Sequence, residues 1–247
     1  PFNDKDMSSF DKETSSRRGV RMMVLLRPWF LLAAFAMLGG CATIDFDRPK
    51  TTTTAFNDTD DTYLGRGLAG LAEAHPGQAG FYPVIDSIDA LAIRLLMAKR
   101  AERSLDAQYY LIKNDIVGML FIGALLEAAD RGVRVRLLVD DIFTNGYDRG
   151  MAALDSHPNF EIRIFNPFAR RSARVLDAIN SFGRINRRMH NKSFTVDNQV
   201  TLIGGRNIAD EYFAAREDSK FADVDVLGVG PVVGDVSRMF DKYWNNR

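Results

Sequence analysis

From about Gly80 onward the apolar residues switch repeatedly between a helical and a strand spacing, which restricts the chain to a small set of folds. Ile85, Ile88, Leu91, Ala92, Leu95 and Leu96 recur at helical spacing. In SLDAQYYLI, Leu105, Ala107, Tyr109 and Leu111 then alternate, as one face of a strand does. VGMLFIGALLEAADRG predicts a largely apolar helix ending at Gly132, a residue suited to the left-handed turn that closes a helix. VRVRLLVDDI and FEIRIFNPF predict two strands with a short helix between them, the second strand stopped by Pro167. ARRSARVLDAINSFGRINRR reads as a helix or a partly ordered loop. PVVGDVSRMFDKYWNNR predicts an amphipathic helix with Val232, Val236, Met239, Phe240 and Tyr243 on its apolar side. Helices alternating with strands predict an α/β domain whose mixed sheet is covered on both faces.

That domain is expected to occupy residues 80–247, and the earlier residues read differently. Residues 1–21 are polar and aperiodic, and are read as disordered or as sequence upstream of the true start. Residues 22–41 follow a set of arginines with an apolar run too short to span a membrane, which predicts an export signal. Leu38-Gly39-Gly40 stands directly before Cys41, the only cysteine, and resembles the lipobox of bacterial lipoproteins. That resemblance implies an acylated Cys41 holding the protein to a membrane surface; the alternative is a short buried helix with a core cysteine. Residues 42–79, with Thr51 to Thr54 in a row, are read as a flexible tether.

The richest stretch is MHNKSFTVDNQVTLIGGRNI, from Met189 to Ile208. Alternation along a strand puts His190 and Lys192 on one side. Asp197-Asn198 suits a two-residue hairpin turn, and QVTLIGG makes the returning strand. Gly204-Gly205 lets the backbone pass close to a neighbour, and Asn207 follows where a helix through Phe213 is expected. A cation, an amide and an imidazole converging on one spot suit a phosphate group whose oxygens gain charge in a transition state. With 32 basic and 32 acidic residues the formal charge is zero, which argues against nucleic acid as the partner.

His190, Lys192, Asp197, Gly204, Gly205 and Asn207 stand at every fixed position of the motif of the phospholipase D superfamily, which the chain resembles. From Gly80 onward, FYPVIDSIDAL, GALLEAADRGVRVRLLVDD and FADVDVLGVGP also resemble the N-terminal half of bacterial cardiolipin synthases. The resemblance implies a phospholipase D-like α/β/α sandwich, one of the two halves normally present. It implies a histidine that attacks phosphorus to give a phosphohistidine, a second histidine that protonates the leaving group, and no metal or other cofactor. Asp223 sits where the family places an acid that orients the histidine, and Asp197 is implied to support the turn rather than touch substrate. The implied substrates are phospholipids such as phosphatidylglycerol, met at the periplasmic side of the cell envelope.

A second motif copy is expected from the resemblance and is not present: His75 and His157 each precede a proline and begin none. The chain is therefore expected to be a fragment lacking its second half, or to pair with a second chain. Two other functions stay open, a single-motif nuclease working as a dimer and a lipoprotein that binds phosphate headgroups without turnover. Arg184, Arg187 and Arg188 form a basic cluster beside Lys192 that reads as an attractor of anionic lipid headgroups or of a nucleic-acid backbone, or as a solvated face. Tyr109 and Tyr110 read as headgroup-pocket or core residues, and Asp140 and Asp141 as caps.

Overall fold

The computed structural model describes residues 50–144, 146–168, 183, 187–215 and 223–246. Among these, strands β1 (Gly80–Val84), β2 (Ser104–Tyr109), β3 (Arg134–Asp140), β4 (Phe160–Phe165), β5 (Ser193–Val196), β6 (Val200–Gly204) and β7 (Asp225–Val229) form one sheet. Its order is β1-β7-β6-β5-β2-β3-β4. The helices are α1 (Tyr63–Ala74), α2 (Ser87–Arg100), α3 (Ile116–Asp130), α4 (Asp148–Asp155) and α5 (Pro231–Trp244). β2, β3 and β4 run parallel, joined by α3 and α4 as crossovers. β5 pairs antiparallel with β2, and β6, β7 and β1 continue antiparallel from it. This mixed pattern brings the ends of β2, β3 and β6 and the starts of β5 and β7 to one edge of the sheet.

Strand alternation divides the core between two faces. Leu105, Ala107, Tyr109, Val135, Leu137 and Phe194 pack with Phe121 and Leu125 of α3. Leu138, of opposite parity, packs with Met189, Phe240 and Trp244 under α5. Arg136 lies fully buried on that second face, paired with both Asp106 oxygens at 2.7 Å and with Asp241 at 2.9 Å, while the Phe240 ring covers it. A buried guanidinium is tolerable only with such complete pairing.

Several sequence expectations shift. The buried side of α2 is Ala90, Arg94, Met97 and Ala98, whereas Ile85, Ile88 and Leu96 face outward. Arg94 takes the core position because Asp225 and Tyr109 satisfy it there, Nη2 donating to Asp225 at 2.9 Å and Nε to the Tyr109 hydroxyl at 3.1 Å. On α5 the buried set is Val233, Ser237, Phe240 and Trp244, with Met239 exposed, because the Ser237 hydroxyl donates to Asn198 Oδ1 at 2.7 Å. β1 precedes α2 as an additional strand, and its Pro83 is accommodated at the sheet edge, where only β7 is a neighbour.

The tether expected over 42–79 is, in its described part, docked chain followed by α1. Thr53 and Ala55 donate their N–H groups to Asn245 and Asp241, and Arg163, Arg136 and Arg134 donate to the carbonyls of Thr51, Thr53 and Thr54. A polar threonine run lies ordered here because arginines projecting from β3 and β4 need acceptors. The export signal with Cys41, Arg184 and the segment 169–182 lie outside the described residues. Among the described residues no helix is long and apolar enough to cross a membrane.

Candidate active site

His190 is exposed, yet the chain around it is fastened on both sides. Met189 is buried in the cluster with Phe240 and Trp244, and its N–H donates to Asp140 Oδ2 at 2.9 Å. Arg188 Nη1 donates to Asp140 Oδ1 at 2.9 Å, so the carboxylate at the end of β3 holds the two residues that lead into His190. After it, Lys192 enters β5. Lys192 Nζ lies 3.2 Å from His190 Nδ1 and donates to the His190 carbonyl at 2.7 Å. The two side chains of the His-x-Lys pair therefore meet at the sheet edge.

Tyr110 completes the floor. Its ring centroid stands 4.3 Å from that of His190, and Lys192 Nζ lies 5.5 Å from the same ring. Burial pushes the Tyr110 phenol up, and the nearby Asp140 carboxylate adds to this, so the ring stays neutral beside the imidazole. Burial pulls the Lys192 ammonium below its ordinary value, and the Asp223 carboxylate acts in the opposite direction. Asp223 thus acts on Lys192; among the described residues no hydrogen bond joins it to His190.

Gly204 and Gly205 stand where β6 passes the start of β7. A side chain at Gly205 would run into the Asp223 carboxylate, and one at Gly204 into Asp225 and, at 2.7 Å, the Val224 carbonyl. The glycine pair is what lets Asp223 approach the site. Asn207 lies three residues beyond β6 and is nearly buried. Its Oδ1 accepts from the Leu111 N–H at 3.2 Å, and its Nδ2 donates to the Tyr212 hydroxyl at 3.0 Å. One of the two N–H groups on Nδ2 is left over for a ligand. The segment after Asn207 pairs with the segment after β2 through Ile112 and Ile208, and Asp210 then forms a 3-10 turn instead of the expected helix.

Asp197 is far from this edge. It lies in the β5–β6 turn, where it and Asn198 both take φ of +51°, and its buried carboxylate accepts the N–H groups of Glu102, Arg103 and Ser104. Asp225, the same-face neighbour of Asp223 by alternation, is buried and paired with Arg94 and Arg206. Two contributors were not legible from spacing alone. Asp140 reaches His190 only through the chain fold. Tyr110 follows Tyr109, and strand alternation sends one ring into the core and the other to the site.

Residues 95–244 match the family described as cardiolipin synthase, PLD-like domain. Cardiolipin synthase C of Escherichia coli (strain K12) is 54% identical over 181 residues, 73% of this chain and 38% of the relative. An uncharacterized protein of Helicobacter pylori (strain ATCC 700392 / 26695) is 36% identical over 210 residues, 83% of this chain and 41% of the relative. The chain spans about two-fifths of the length of these relatives. The crystal structure of phosphatidylserine synthase from Haemophilus influenzae Rd KW20 shares the fold, with a TM-score of 0.52 at 13% identity over 67% of this chain and 37% of that one.

Proposed function

Because the chain belongs to the cardiolipin synthase family of phospholipase D-like domains, we propose that it supplies half the active site of a phosphatidyltransferase. The observation that carries this reading is the fastened, exposed His190 with the Lys192 ammonium at its Nδ1. His190 attacks the phosphorus of a phospholipid, a P–N bond forms and the P–O bond to the leaving alcohol breaks. A second histidine, from another half, protonates the departing alkoxide. That histidine then deprotonates the acceptor alcohol, whose oxygen attacks the phosphohistidine and restores His190. With phosphatidylglycerol as both donor and acceptor the product is cardiolipin. An acylated Cys41, left as the new N-terminus once the leader before it is removed, would hold this chemistry at the periplasmic face of the envelope.

Lys192 has a second task in this scheme. An ammonium only donates, so its contact makes Nδ1 the acceptor and leaves the imidazole proton on Nε2. Attack through Nε2 requires the other tautomer. An arriving phosphate draws Lys192 onto its own oxygens and frees Nδ1 to take the proton. Lys192 and the remaining Asn207 N–H then face the oxygens on which charge accumulates.

The test uses a two-motif form carrying this chain, given phosphatidylglycerol vesicles and, separately, single-stranded DNA. Quenching with denaturant at neutral to mildly alkaline pH, where a P–N bond survives, should trap a phosphatidyl adduct on His190, and His190→Ala should abolish both adduct and turnover while the fold persists. DNA cleavage without any lipid product would replace this reading with the nuclease one.

A further inference from the structure

Beside the polar site lies an apolar cavity of about 480 Å³ that the chemistry above does not use. It sits between α3 and α4, past the ends of β2 and β3, and Met119, Ile122, Leu137, Val139, Met151 and Ile162 form much of its wall. Tyr110 is part of the same wall, and its ring also stands 4.3 Å from that of His190. Cavity and imidazole are therefore on neighbouring sides of one side chain. Phe143, edge-on to Tyr110 at 5.4 Å, also lines the cavity.

We infer that this cavity holds an aliphatic chain of the phosphate ester whose phosphorus sits at His190. The inference rests on the phosphodiester reading above and deepens it by naming where the apolar part of the substrate goes. Three observations favour an alkyl chain. The charged groups of the wall and Thr144 are engaged: Asp140 with Arg188 and the Met189 N–H, Lys113 with Glu211, and Thr144 with Asp141. A polar ligand would exchange its water for few partners there, whereas an alkyl chain loses nothing by leaving water. Two methionines in the wall adapt to a flexible chain better than to a rigid ring. Finally, Met119, Phe143 and Tyr147 line the cavity and are also exposed, giving an apolar rim through which a chain can enter from a lipid surface. The volume lies within the range of roughly 300–1,000 Å³ usual for small-molecule sites.

Gly150 of α4 provides a plug. It lines the cavity, and a Cβ added to it meets nothing within 4 Å, so a larger residue can be introduced at the cavity wall without a backbone clash, and Gly150→Phe is the variant chosen to occupy the space. The experiment titrates the present chain with n-alkyl phosphates from butyl to dodecyl, each below its micelle concentration, with inorganic phosphate as the headgroup control. Affinity should rise by about fourfold per added CH₂ until the cavity is full. In Gly150→Phe the series should be flat, with inorganic phosphate binding as in the wild type; Gly150→Leu should shorten the rising part. Affinity independent of chain length in the wild type, with inorganic phosphate still bound, overturns the cavity and leaves the phosphodiester reading standing. A rising series unchanged by both substitutions also overturns it, since the chain then lies elsewhere. No binding of any alkyl phosphate or of inorganic phosphate overturns both readings together.

Discussion

Lys192 sits under two opposing influences, burial that discourages its charge and an Asp223 carboxylate that sustains it. Only the protonated amine attracts a phosphate, and its folded value lies below that of a free lysine. Phosphate binding should therefore fail on the alkaline side earlier than a free lysine would predict, as pH rises through the lowered value. Asp223→Asn removes the sustaining charge and should move that alkaline limb to still lower pH. Butyl phosphate affinity across the alkaline range reads this directly; a limb that stays in place or moves up would mean that Asp223 does not act through Lys192. The glycine pair belongs to the same account, because a Cβ at Gly205 would displace the carboxylate on which the effect depends.

At the scale of elements, the site depends on how β7 is held against β6 and α2. Asp225 opens β7, fully buried between Arg94 of α2 and Arg206, at 2.9 Å and 3.2 Å. Asp225→Ala leaves two guanidinium groups buried without their shared partner, a loss of about 3–5 kcal/mol. Against a total stability of roughly 5–15 kcal/mol, that should lower the urea midpoint sharply at constant slope. Asp235→Ala on the exposed face of α5 removes only a surface pair with Arg238 and should leave the midpoint nearly unchanged. This network also explains what the sequence conceals. The period of α2 announces a helix, but its most apolar stripe is not its buried one, because an arginine occupies the core. On α5, Ser237 misleads in the same way. The hairpin was legible in Asp197-Asn198, since few residue pairs take two positive φ angles in succession. The docking of Thr51 to Thr54 was not, because threonines carry no sign of the arginines that await them on other strands. The motif residues could be read because their spacing is local. Tyr110 was offered with Tyr109 as pocket or core, and only the fold separates the two; the hold of Asp140 on the chain before His190 and the cavity could not be read, because distant segments build them.

For the whole molecule the decisive fact is where its histidines lie. His157 pairs with Asp130 at 3.2 Å, between the end of α3 and the start of β4, which is the sheet edge opposite the site. His75 closes α1, and the adjoining Gln78 carbonyl lies against Gly230 at the far end of β7, again on the opposite edge. His190 therefore stands alone at the site edge. Transfer through a phosphohistidine needs a proton donor for the leaving alkoxide while His190 is covalently occupied, so one histidine cannot serve both steps. The present 247 residues should accordingly bind short alkyl phosphates yet produce no cardiolipin or phosphatidic acid from phosphatidylglycerol vesicles as a monomer. A form that supplies a second histidine, whether by a second motif on a longer chain or by pairing of two copies, should turn over. In the paired case the rate per chain should rise with concentration and follow the dimer fraction measured by light scattering. Turnover that stays constant down to concentrations where only monomer is present would sink the half-site argument, because His190 would then act as nucleophile and acid in one cycle.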